Sequence, residues 1–165
     1  MKRILMLCCA VLLLFQTVTF AYQMPIEEIG IGGLRLGCTP GYVKSLYGSP
    51  QKVEWDNGKV LHYTYTVPSA LSVAFYGRGS LVEEDCVCIH IQVEDDSIAT
   101  PSGFAVGTPY QDVLDMCGEV PPLIYQHNNG QPLYLYLCDQ AQNAKIQFKT
   151  DDKGIITQII LYGSY

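Results

Sequence analysis

Charge is scarce in this chain. Of its 165 residues only 16% are Asp, Glu, Lys or Arg, against 48% hydrophobic, and 10 basic residues face 16 acidic ones. So little charge beside so much apolar and aromatic surface excludes wholesale disorder. The lack of any positive excess, with a net charge of −6, argues against a protein that tracks nucleic-acid backbone or anionic membrane. A membrane-spanning run is also missing, because the apolar stretch at residues 4–15 is about 12 residues long where a spanning helix needs roughly 20. Catalytic furniture is equally sparse. No Ser or Cys stands in a nucleophile-elbow context, and Gly30-Ile31-Gly32-Gly33 precedes a strand instead of linking strand to helix. The acidic runs Glu83-Glu84-Asp85 and Glu94-Asp95-Asp96 lack the spaced ligands of a calcium loop. These absences predict a protein that is not an enzyme and carries neither cofactor nor metal.

What is present begins with an export signal. Residues 1–21 place Lys2 and Arg3 before the apolar stretch and end on the small-x-small sequence Thr19-Phe20-Ala21, the pattern of a cleaved signal peptide. Cys8 and Cys9 lie inside the apolar stretch, so no lipid-bearing cysteine follows it. Cleavage would leave no stable membrane anchor, a net charge of −8, and five cysteines: Cys38, Cys86, Cys88, Cys117 and Cys138. In an oxidising compartment their expected fate is disulfide formation, and an odd number leaves one over.

One pattern occurs twice in the remainder. Gly37-Cys38-Thr39-Pro40 is followed by Val43, Leu46, Tyr47 and Gly48; Gly107-Thr108-Pro109 is followed by Val113, Met116, Cys117 and Gly118, at an offset of 70 residues. Thr39-Pro40 and Thr108-Pro109 read as helix N-caps followed by proline at the first position, with Gln111 completing a capping box in the second copy. Gly48 and Gly118 read as left-handed stops. Strands are predicted at 51–56, 59–67, 71–76 and 86–93, then at 122–127, 132–138, 143–149 and 155–162, with turns at Asn57-Gly58 and Asn129-Gly130. The expected fold class is α+β: two tandem copies of a short helix packed on a roughly four-stranded antiparallel sheet, spanning residues 22–96 and 97–165.

The duplicated frame of an apolar strand, Gly37 or Gly107, Val six residues on and a second glycine eleven residues on resembles the β-lactamase-inhibitor protein (BLIP) fold. It is similar also to the single-copy SmpA/OmlA (BamE) envelope lipoproteins. The resemblance implies a non-enzymatic protein that grips a protein partner on an aromatic sheet surface, as an inhibitor of an extracytoplasmic enzyme or as an envelope-assembly factor.

The cysteines offer a second chemistry. Cys86, Cys88 and His90 alternate along one predicted strand, and Cys and His are zinc ligands. Residues two apart on a strand stand roughly 6.5–7 Å apart and those four apart about 13 Å, so the three cannot converge on one ion. The alternative function, extracytoplasmic metal binding or thiol redox on Cys86-x-Cys88-x-His90, therefore stands second. The Asn129-Gly130 hairpin brings Cys138 back towards Cys117, a pairing similar to the helix-to-strand bridge of the BLIP family. Alternation, however, sets Cys138 on the face of Tyr134 and Tyr136, away from the expected helix. Cys38 is left to pair with Cys86 or Cys88.

The expected partner-binding surface is the outer sheet face. Tyr134 and Tyr136 alternate with Leu133, Leu135 and Leu137, which read as core. Tyr162, Tyr76 and His62 are predicted to share that outer side. Tyrosine supplies a large amphipathic contact at low side-chain entropy, which suits recognition of a protein.

Overall fold

A computed structural model describes residues 24, 29–67, 69–77, 79, 82–118, 122–126, 130, 132–139 and 143–163. The signal segment 1–21, His127 and Asn129 lie outside the described residues.

Local chemistry starts the first helix where expected. Thr39 Oγ1 accepts the Tyr42 amide at 3.3 Å, Pro40 occupies the first turn, and helix α1 runs over Pro40–Tyr47. Gly48 ends it at φ 75°, its amide donating to the Lys44 carbonyl. Helix α2, Tyr110–Cys117, ends in the same way at Gly118, φ 61°. Its start differs from expectation: Pro109 is the N-cap, and Thr108 Oγ1 accepts the Ala105 amide at 3.1 Å instead of capping the helix. Gln111 closes no capping box; its amide donates to Asp115 one turn on.

Eight strands follow: β1 Lys52–Asp56, β2 Val60–Tyr65, β3 Leu71–Gly77, β4 Cys86–Val93, β5 Leu123–Gln126, β6 Pro132–Asp139, β7 Ala144–Thr150 and β8 Ile156–Tyr162. Between β1 and β2 both Asn57 and Gly58 have positive φ, the conformation for which Asn-Gly turns are selected.

The expected architecture of two tandem units, each with its own four-stranded sheet, is overturned. All eight strands form one continuous antiparallel sheet in the order β1-β2-β3-β4-β8-β7-β6-β5. The joint is the pairing of β4 with β8, from His90↔Tyr162 to Val93↔Ile159. Two four-stranded sheets would each leave a strand rich in Val and Ile with an unpaired edge; joining satisfies both rows of backbone groups.

Both helices lie on the same side of the sheet and share one core with it. That core takes Val43 from α1, Val113 and Tyr110 from α2, and Leu61, Phe75, Ile91, Ile146 and Leu161 from five strands. Val43 and Val113 are fully buried, each worth about 1.5–3 kcal/mol over exposure. Leu46, expected on the buried face of α1, is instead 48% exposed. Two non-strand segments seal the top of the core: Ile31, Leu34, Ile98 and Phe104 are buried, and the Gly32 amide donates to the Ala99 carbonyl at 2.9 Å.

Candidate functional site

With both helices on one face, the sheet keeps a second face that neither helix covers. Register assigns its residues. Across successive strands the row Glu54, His62, Ala74, His90, Tyr162, Lys145 runs in line, each paired with the next. Strands stand about 4.8 Å apart, so His62 and Lys145 are separated by roughly 19 Å. Polar side chains on this face hold one another. Gln147 Nε2 donates to Tyr162 Oη at 3.0 Å, Lys145 Nζ sits 5.8 Å from the centre of the Tyr162 ring, and Glu94 accepts from both Gln92 and Gln158. His90 is held below its ordinary pKa, chiefly by burial and further by neighbouring His62, with a hydrogen bond to Gln92 acting the other way. A shallow hollow of about 250 Å³ lies on this side between Thr64, Ser72, Gln92 and Glu94, below the usual 300–1,000 Å³ of small-molecule sites.

Three of the expected partner-binding residues, His62, Tyr76 and Tyr162, belong to this open face. Tyr134 and Tyr136 do not, which corrects the sequence reading. Tyr136 is fully buried under α2, its hydroxyl 2.8 Å from that of Tyr110. The Tyr134 ring stacks on Tyr110 with centroids 3.7 Å apart. The parity of β6 is thus the reverse of that expected: Leu133, Leu135 and Leu137 take the side away from α2, where Leu135 is nonetheless buried. Leucine and tyrosine are both apolar enough to bury, and the Tyr136 hydroxyl finds its partner inside, which removes the penalty that would have kept it out.

This reversal also settles the placement of Cys138. It shares the helix face with Tyr136 and is buried in the same core as Cys117, whose side chain hydrogen-bonds Tyr136.

A second correction concerns β4. The register slips between Ala74 and Phe75, so that Ala74 faces His90 while Phe75 faces Cys88, leaving Ile89 as an extra residue. A bulge of one residue exchanges the faces beyond it. Cys86 and Cys88 therefore point into the core with Ile91 and Val93, and His90 points to the opposite side. The three do not share a face, and among the described residues no group of three or more His, Cys, Asp or Glu could hold a metal ion.

Of the two expected partners for Cys38, the structure puts Cys88 against it: the Cys88 amide donates to the Cys38 carbonyl at 2.9 Å, and the two thiols lie close enough to shift each other's ionisation. Cys86 Sγ instead lies 3.5 Å from the Val82 carbonyl oxygen. Residues that sequence reasoning passed over are Lys145, Gln147 and Gln92. For Lys145 and Gln147 the signal was present in β7, where they and Lys149 alternate with buried Ile146 and Phe148, but such alternation marks any solvated face.

No family model and no curated protein matches the chain. Among solved structures it is similar to a cysteine-rich secretory protein from Staphylococcus aureus subsp. aureus Mu50, with TM-score 0.55 and 10% identity over 86% of this chain and 48% of that one. It is similar also to an extracellular protein containing an SCP domain from Bacillus anthracis str. Ames, with TM-score 0.50 and 13% identity over 78% and 44%. A DUF4309 family protein from Bacillus subtilis subsp. subtilis str. 168 superposes with TM-score 0.47 and 13% identity over 76% and 78%. The chain spans less than half the length of the first two proteins, both described as secreted or extracellular. Among the described residues no helix is long and apolar enough to cross a membrane. At these identities the likeness to the first two structures is one of fold alone.

Proposed function

We propose that the chain is an exported, non-enzymatic binding protein that grips a protein partner in the extracytoplasmic space through the open face of its sheet. The observation that carries this reading is one-sided coverage: α1 and α2 pack on the same face, and the other bears a connected row of polar and aromatic side chains, His62, His90, Tyr162 and Lys145. Eight strands about 4.8 Å apart and roughly 20 Å long outline a face on the order of 700 Å², close to one partner's share of a standard protein interface. The signal pattern at residues 1–21 and the extracellular character of two structural neighbours support the location. Enzyme inhibition and envelope assembly are both compatible with such a grip.

Affinity capture from the extracytoplasmic fraction tests the reading. The bait carrying His62→Ala, Tyr162→Ala and Lys145→Ala should lose a partner held by the unmodified chain, by about tenfold or more in affinity. A bait altered on the opposite side, at Tyr42 and Leu46 of α1, should keep it. The reverse pattern would place the interface on the helix side and sink the proposal.

A second reading, thiol redox chemistry, is favoured by the contact between Cys38 and Cys88.

A further inference from the structure

The contact between Cys38 and Cys88 is made by the backbone as well as the side chains. Gly37, at φ 83°, donates its amide to the Cys88 carbonyl at 2.8 Å, and the Cys88 amide donates to the Cys38 carbonyl at 2.9 Å. This is the pattern of a glycine bulge, in which two residues of one segment oppose a single residue of the other. The same pair of bonds recurs elsewhere in the molecule: Gly107 donates to Ile156 at 2.8 Å, and Ile156 donates to Thr108 at 2.9 Å. There the facing residues are Thr108 and Ile156, so the bulge forms without sulfur. Two cysteines at one of the two bulges are therefore not a requirement of the backbone, and the bulge sets them directly opposite each other.

Their surroundings are unequal. Cys88 is fully buried, whereas Cys38 is partly exposed on a groove of about 430 Å³ formed with Gly33, Arg35, Leu36 and Tyr42. The hydrogen bond with Cys88 draws the Cys38 thiol below its ordinary pKa, burial pushes it partly back, and the backbone at Arg35 and at Cys38 itself adds to the lowering. Cys88 is pushed well up by the same bond and by burial. One thiol can be reached from the groove; the other is sealed in the core. An attacking and a resolving cysteine divide in this way.

We propose that Cys38 and Cys88 form a reversible disulfide, made when Cys38 attacks an incoming disulfide in the groove and Cys88 resolves the product. The Cys38 thiolate attacks one sulfur of a small-molecule or protein disulfide, the S–S bond of that oxidant breaks, and its other sulfur leaves as a thiolate. Cys88 then gives its proton to the departing thiolate and attacks Cys38 Sγ. The Cys38–Cys88 bond forms as the bond between Cys38 and the oxidant breaks; the second half of the oxidant leaves as a thiolate and takes up the proton that Cys38 lost on ionising, so the oxidant has accepted two electrons and two protons as two thiols.

Oxidised glutathione is the probe. The reduced exported chain is incubated with it, quenched in acid and mapped by mass spectrometry. The unmodified chain should yield a Cys38–Cys88 cross-linked peptide, and excess reduced glutathione should reopen it. Cys88→Ala should stop at a glutathione adduct on Cys38, while Cys38→Ala should leave Cys88 unmodified. A cross-link from Cys38 to Cys86, a Cys88→Ala protein that is folded by circular dichroism yet gains no adduct at Cys38, or a bond that excess reduced glutathione fails to open would each overturn the proposal. Should Cys88→Ala not fold, alkylation of the reduced unmodified chain decides: Cys38 must react faster than both Cys86 and Cys88, and equal or inverse order would refute its role as attacker.

Discussion

Tyr110 and Tyr136 share a hydrogen bond of 2.8 Å between their hydroxyls, buried beneath α2. Burial first, then the bond to Tyr136, raises the Tyr110 pKa well above its ordinary value, and burial raises that of Tyr136 against the bond to Tyr110. Tyr136→Phe should strand the Tyr110 hydroxyl in the core and cost about 1–3 kcal/mol. Adding Tyr110→Phe should restore part of that loss, giving a coupling of about 0.5 kcal/mol or more in a double-mutant cycle by urea denaturation. Strictly additive losses would mean the two hydroxyls do not depend on each other.

Tyr134 and Tyr162 should separate stability from binding. Tyr134→Ala removes the ring stacked on Tyr110, a contact worth about 0.5–1.5 kcal/mol beyond its buried area, and should lower the unfolding midpoint while leaving partner capture intact. Tyr162→Ala, on the open face, should weaken capture far more than it shifts the midpoint. Both are read by pairing thermal melts with the capture assay. Loss of capture from Tyr134→Ala in a folded protein would return that residue to the interface.

Acid should weaken the fold through His90. Its folded pKa is depressed, by burial first and by His62, against the opposing bond with Gln92, so the fold favours the neutral ring. The unfolded chain binds that proton more readily, near pH 6.5. Stability is therefore complete above the unfolded pKa and falls as pH drops below it towards the folded pKa. His90→Gln should remove this part of the slope: urea midpoints at about pH 7.5 and about pH 5.5 should differ less in the variant than in the unmodified chain. Parallel slopes would show that His90 is not the group responsible.

Gly32 is a position where only glycine fits. Its φ is 59°, and a Cβ there would fall inside contact distance of the Tyr47 hydroxyl and of Ile98. That hydroxyl is already committed, donating to the Gly32 carbonyl at 2.7 Å. Gly32→Ala should cost about 2 kcal/mol or more, from left-handed backbone and displaced packing together. Gly48→Ala, with open space around it but φ 75° and ψ −161° in a region essentially reserved for glycine, should cost the backbone share alone, about 1–3 kcal/mol. A loss at Gly32→Ala of about 1 kcal/mol or less in denaturation would show that the crowding there relaxes freely.

Strand spans were legible because period-two alternation and turn residues are local signals: the predicted segments 71–76, 86–93 and 132–138 fall on β3, β4 and β6 to within a residue. The sheet they build was not. Whether β4 and β8 end two sheets or meet in one depends on a pairing between residues some 70 apart in sequence, and edge complementarity leaves no periodic mark. Parity failed where both faces of a strand are apolar, as in β6, because Leu133-Tyr134-Leu135-Tyr136 alternates without saying which set is inside. The bulge at Ile89 was hidden for a related reason. Cys86-Val87-Cys88-Ile89 continues smoothly into His90-Ile91, and the slip shows only in the register with β3. The expected outer face is consequently split, with His62, Tyr76 and Tyr162 on the side away from the helices and Tyr134 and Tyr136 beneath α2.

Joining β4 to β8 leaves β1 and β5 as the two outermost strands, and they differ in how they would meet another copy of the chain. Lys52, Glu54 and Asp56 furnish β1 with three charges, two of them in an ion pair at 2.8 Å. Such charges discourage a foreign strand from adding on. Leu123–Gln126 has none, and Ile124 is 64% exposed. Charge therefore guards β5 less than β1, and Ile124→Lys should reduce any fibrous self-association at high concentration.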